Sequence, residues 1–165
     1  MRLSSAAMFL ALCASSRALV VPPPSARGAT LEVRELIACG QYGKVHAAQH
    51  DGRPVVAKCA AAANAGDEKL ATSYFEVEHE VNKAILTSGD PSQRFCTYRG
   101  RCRAEGVEWL VWESLQPEGG TCPSLADFAG RPVELQAEHG LSPLDVLREL
   151  LYCIKALHEL GYGER

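Results

Sequence analysis

Gly40-Gln41-Tyr42-Gly43-Lys44-Val45 and, one hairpin further on, Val55-Val56-Ala57-Lys58 decide how this chain is read. Two close glycines remove the Cβ atoms that would hold backbone N–H groups away from a bound phosphate. Val45 begins a return strand. Lys58 closes an apolar run with a cation, where phosphate charge would need neutralising. Alone, a Gly-x-x-Gly turn is ordinary hairpin chemistry, and a lysine at a strand end ordinarily snorkels into solvent. The turn, the valine two residues after its second glycine and the lysine closing the next strand form a far more specific pattern together.

Thr30 to Ile37 alternates apolar and charged residues as a half-buried strand does, and Lys44 to Gln49 is its expected antiparallel partner. Asp51-Gly52 is a hairpin signal, and Arg53 to Cys59 makes a third strand. Asp67 to Leu86 carries Tyr74, Val77, Val81, Ala84 and Ile85 at helical spacing, with Gly89-Asp90-Pro91-Ser92 as its terminator. Glu78 falls on that stripe, whereas Glu80 groups with Glu76 and Lys83 on the solvent side. A glutamate on a buried face needs a cation, so Glu78 is the expected partner of Lys58.

Phe95 to Cys102 and Glu108 to Trp112 read as a further strand pair around Gly106. Gln116 to Pro123 is irregular, and Ser124 to Ala129 starts a short helix. Ser142-Pro143 caps a longer helix with Leu144, Leu147, Leu151, Ile154 and Leu157 as the stripe meant for burial, ended by Gly161. Three strands, a helix, two strands and then helices make an α+β fold.

The chain has 165 residues, 47% of them hydrophobic, enough for one domain of ordinary size with a real core. A net charge of -3 without a basic block gives no footprint for general nucleic-acid binding. That charge is unevenly spread. The first 31 residues hold Arg2, Arg17 and Arg27 and no acid, leaving 14 basic against 20 acidic residues beyond them. Arg2 precedes a short apolar stretch to Leu12 that suits a signal-peptide core and is too short to span a bilayer. Pro22-Pro23-Pro24-Ser25-Ala26-Arg27 follows. Residues 1–30 are therefore expected to be a disordered targeting leader outside the fold. No later segment reads as a membrane span. Seven cysteines without a Cys-x-x-Cys pair support neither a disulfide framework nor a metal site, and Cys96 and Cys102 read as independent half-buried thiols.

The glycine turn, Val45 and Lys58 resemble the N-terminal lobe of a protein kinase, although Ala38 stands where the family has its first glycine. The resemblance spans 31–165, with 31–115 as small lobe and hinge and 116–165 as the start of an incomplete helical large lobe. It implies a five-stranded antiparallel sheet with one regulatory helix, and ATP as the cofactor. On it, Gly40 and Gly43 cover the phosphates, Ala38 joins the nucleotide-binding residues at the first-glycine position, and Lys58, held by Glu78, contacts the phosphates. Val45 and Val56 pack on the adenine, with Val56 bulkier than the usual alanine. Glu108 to Leu115 resembles the fifth strand and hinge, with Trp112 as a gatekeeper large enough to close a back pocket. The Glu113 carbonyl and Leu115 N–H would read the adenine edge.

Trp109-Leu110-Val111-Trp112, Leu125-Ala126-Asp127 and the Glu78 to Asn82 spacing are similar to thylakoid state-transition serine/threonine kinases. That agrees with a leader resembling the two-part plastid leaders of algae; a simple secretory signal fits the same residues. The subgroup implies a protein substrate, and at most peripheral association with a membrane. Leu157-His158-Glu159-Leu160-Gly161 resembles the helix before the catalytic loop, with Glu164 and Arg165 at the first two positions of its His-Arg-Asp motif. The resemblance therefore implies that these 165 residues hold the ATP-positioning pair without the catalytic Asp or the magnesium ligands. A catalytically dead nucleotide-binding or scaffold module, and a kinase-like phosphotransferase for small molecules, remain alternatives.

Overall fold

A computed structural model of the chain describes residues 30–88, 95–114, 130, 132–140 and 142–162. Strands β1 (Leu31–Cys39), β2 (Gly43–His50) and β3 (Arg53–Ala60) form an antiparallel meander, followed by helix α1 (Glu68–Ser88). The hairpin β4 (Tyr98–Ala104) and β5 (Val107–Glu113) comes next, then α2 (Pro132–His139) and α3 (Pro143–Glu159). The five strands are ordered β1-β2-β3-β5-β4, all neighbours antiparallel. This is the α+β class and the five-stranded antiparallel sheet expected. The leader, the segment Ser124 to Ala129 and Leu115 lie outside the described residues.

Two tight turns set the register. Asp51 and Gly52 both take positive φ, at 52° and 75°, as do Glu105 and Gly106, at 52° and 79°. Paired left-handed residues match the right-handed twist of the flanking strands, so both hairpins close in two residues. Consecutive Trp109, Leu110 and Val111 are buried in β5, which is therefore covered on both faces.

One face holds Ala48, Val55, Ala57, Cys59, Trp109 and Val111, with Leu31, Val33, Cys102 and Ala104 packed against them. Residues of both outer strands, β1 and β4, reach this cluster, so the sheet curls around it. Burial pushes the thiols of Cys59 and Cys102 upward from their ordinary pKa. The opposite face packs Tyr98, Leu110 and Trp112 against Phe75 of α1.

The helices depart from the sequence expectation in phase. Ala71 and Phe75 are the buried residues of α1, while Tyr74 and Val77 are exposed. In α3, Val146 and Cys153 are buried, while Leu144, Leu147, Leu151 and Ile154 are exposed. Of the stripe read as buried, Leu157 alone is half-buried; it belongs to the better-covered strip of Val146, Leu150, Cys153 and Leu157, beside the exposed one. Helix α2, only half apolar in sequence, was not foreseen. The start of α3 was: the Ser142 side chain accepts from the Asp145 N–H, the Asp145 carboxylate accepts from the Ser142 N–H, and Pro143 opens the first turn. Gly161, at φ 85°, ends it.

Candidate functional site

The register collects the sequence-predicted residues onto the sheet face that α1 covers. Ala38 pairs with Val45, Val45 with Lys58, and Lys58 with Leu110, a single cross-strand row. The next row on that face is Ala47, Val56, Trp112 and Tyr98. Val45 is buried, while Ala38, Val56, Lys58 and Trp112 are half-buried.

Lys58 Nζ donates to Glu78 Oε2, joining β3 to α1. The two side chains keep 26% and 30% of their surface, so the pair borders solvent rather than lying in the core. An ammonium has three N–H donors and the carboxylate takes one, leaving directions open toward an anion. Glu80, the competing candidate, stays exposed and 3.9 Å from Lys83. Glu76 does not merely face water. It pairs with Arg101 of β4 at 2.8 Å, and Arg101 also binds Glu108 and lies over the Phe75 ring.

The glycine turn sits close above the pair. A Cβ on Gly43 would come 2.7 Å from Lys58 Cε and 3.1 Å from the Cys59 carbonyl oxygen. Gly43 is therefore glycine because the lysine stem crosses it, a reason that the sequence pattern alone does not reveal. Gly40 has no such neighbour; its N–H donates to the Gly43 carbonyl at 2.8 Å. The turn tip is tied down on the far side. Ala63 N–H donates to the Gln41 carbonyl at 2.9 Å, and the Tyr42 ring stacks on Tyr74 with centroids 4.6 Å apart. Tyr74, misassigned to the core, thus holds the turn instead.

At the other end of the face, Trp112 Nε1 donates to Asn82 Oδ1 at 2.9 Å, and Asn82 Nδ2 donates to the Glu78 carbonyl at 2.7 Å. The Glu113 carboxylate is held by Arg99 at 2.6 Å, and its N–H donates to the Thr97 carbonyl at 2.9 Å. Its side chain is therefore engaged in tying β5 to β4. Sequence reading missed Arg99, Arg101 and the Asn82 contact with Trp112, because each depends on strand register. Among the described residues there is no group of side chains that could hold a metal ion, and no helix is long and apolar enough to cross a membrane.

No family model matches the chain, and no curated protein matches its sequence. The geometry of this face is accordingly what a functional reading rests on.

Proposed function

We propose that this chain is the ATP-binding portion of a protein serine/threonine kinase, a transferase that moves the γ-phosphate of ATP to protein hydroxyls. The observation that carries the reading is the Lys58–Glu78 pair beneath the glycine turn, on a five-stranded sheet covered by α1. The residues fit such a cofactor. Lys58 is fixed by one carboxylate, partly open to solvent and unobstructed by any Cβ at Gly43. ATP, when bound with magnesium, supplies the phosphoryl group to be transferred.

This chain's own residues position and neutralise. Gly40 and Gly43 let the backbone approach phosphate oxygens, and Lys58 offers them its remaining ammonium N–H groups. Glu78 holds Lys58 so that little side-chain freedom is lost when it binds. Val45 and Val56 form the apolar wall for the base, with Trp112 behind it and the Glu113 carbonyl at its hydrogen-bonding edge. The reading extends to a plastid protein, on the strength of the acid-free, proline-rich leader. Import of a reporter fused to residues 1–35 tests that, and retention in the cytosol would remove it.

Titration of the full chain with a fluorescent ATP analogue tests the binding function. Lys58→Met should weaken affinity about 10-fold or more, since hydrogen bonds to charged groups are the strong ones. Unchanged affinity in that variant would overturn the assignment.

A further inference from the structure

Asn82 lies one turn beyond Glu78 on the same face of α1, and both ends of its amide are engaged. An indole N–H can only donate and a main-chain carbonyl can only accept. The amide therefore has one workable orientation, Oδ1 toward Trp112 and Nδ2 toward the Glu78 carbonyl. A leucine would lose both bonds, and an aspartate would turn an acceptor against that carbonyl.

The spacing of the two links matches across the interface. Four residues of helix advance about 6 Å, and two residues of strand about 6.7 Å. Glu78 meets the row of Lys58 and Leu110, and Asn82 meets the next row, of Val56 and Trp112. One link would let the helix pivot about it; two links in register fix both its slide and its rotation. Apolar packing cannot supply this alone, because Ala71 and Phe75 are the buried residues of α1 while Tyr74 and Val77 are exposed. Two further polar links run from α1 to β4: Arg101 to Glu76, exposed and largely screened by solvent, and His79 Nδ1 to Tyr98 Oη at 2.7 Å, which steadies the same end of the helix without touching β5.

We propose that Asn82 is a positioning residue, latching α1 to β5 through the Trp112 indole so that Glu78 is held against Lys58. Its consequence for nucleotide rests on the kinase reading above; the latch itself does not. The latch makes Trp112 part of the device that sets α1, in addition to being a wall of the site.

The test uses the full chain and two readouts. First, the Trp112 indole N–H resonance, identified by its loss in Trp112→Phe, should exchange slowly with deuterium, and the rate of Lys58 acylation should rise about 3-fold or more in Asn82→Leu. A rapidly exchanging indole, or an unchanged acylation rate in a folded Asn82→Leu, would overturn the latch whether or not nucleotide binds. Second, affinity for a fluorescent ATP analogue should fall about 2- to 10-fold in Asn82→Leu and in Trp112→Phe, the range of a lost hydrogen bond. The double variant should bind no worse than either single one, because both remove the same link. Losses that multiply would assign Asn82 an independent packing role and overturn the proposal. Absence of nucleotide binding in the parent chain, with the first readout as expected, would refute the kinase reading alone. Should Asn82→Leu fail to fold, the Lys58 acylation rate in Trp112→Phe, with the indole exchange of the parent chain, carries the same decision.

Discussion

At the scale of single residues, Gly43 and Gly40 look equivalent in sequence and are not equivalent in space. A methyl group on Gly43 would meet the lysine stem and the Cys59 carbonyl, and of these the lysine is the flexible one. Gly43→Ala should therefore displace Lys58 from Glu78 more than it disturbs the sheet. We expect a stability loss on the order of 1 kcal/mol by denaturant unfolding, the low end for overpacking. Nucleotide affinity should fall by about the same factor as in Lys58→Met. Gly40→Ala should leave stability nearly unchanged, since its nearest neighbour is at an ordinary 3.7 Å, so any loss of nucleotide affinity in that variant comes from the phosphate approach alone. The Lys58–Glu78 pairing was legible beforehand. Glu78 could be chosen over Glu80 because helical phase alone separates them, and the phase was close enough for that. Arg99 holding Glu113 could not be read, because it needs the register of β4 on β5.

At the scale of elements, the helix phases show where pattern reading fails. Counting apolar residues in α1 selected Tyr74 and Val77, but its packing face includes, beside Glu78, the polar His79 and Asn82, which an apolar template skips. A helix that carries functional polar groups inward hides its own buried side. His79 illustrates this: its Nδ1 lies 2.7 Å from Tyr98 Oη, and burial pushes that phenol upward from its ordinary pKa. The cap of α3, by contrast, is purely local chemistry and was read correctly. Ser142→Ala should cost about 1 kcal/mol, the usual loss for an N-cap, in chemical denaturation. Hydrogen bonding from Ser142, with Arg148 also nearby, holds the Asp145 carboxyl below the ordinary aspartate range. A lowered folded-state pKa gives stability that is present above the unfolded value of about 3.9 and lost as pH falls through the folded one. Circular dichroism melts should therefore show Asp145→Asn flattening the acid side of the stability profile, with the difference from the parent chain vanishing at the lowest pH.

At the scale of the whole molecule, α3 presents Leu144, Leu147, Leu151 and Ile154 to solvent along one side. Contiguous apolar surface of this kind promotes association. Light scattering should show concentration-dependent self-association of the chain, relieved in Leu147→Glu/Leu151→Lys without a fall in the unfolding midpoint; unchanged scattering in that variant would mean association runs through another surface. The sheet order carries a different consequence. Because β5 lies between β3 and β4, the meander β1-β2-β3 can form locally, but its β3 edge stays open until the β4–β5 hairpin arrives. The contacts that complete the face, Lys58 with Leu110 and Asn82 with Trp112, all bridge that gap in the chain. Long loop closures come before such contacts are rewarded, so they govern the folding rate. A nascent chain on the ribosome therefore carries a finished three-stranded ribbon with an adhesive rim, and completes the face that carries Lys58 only once residue 113 has emerged.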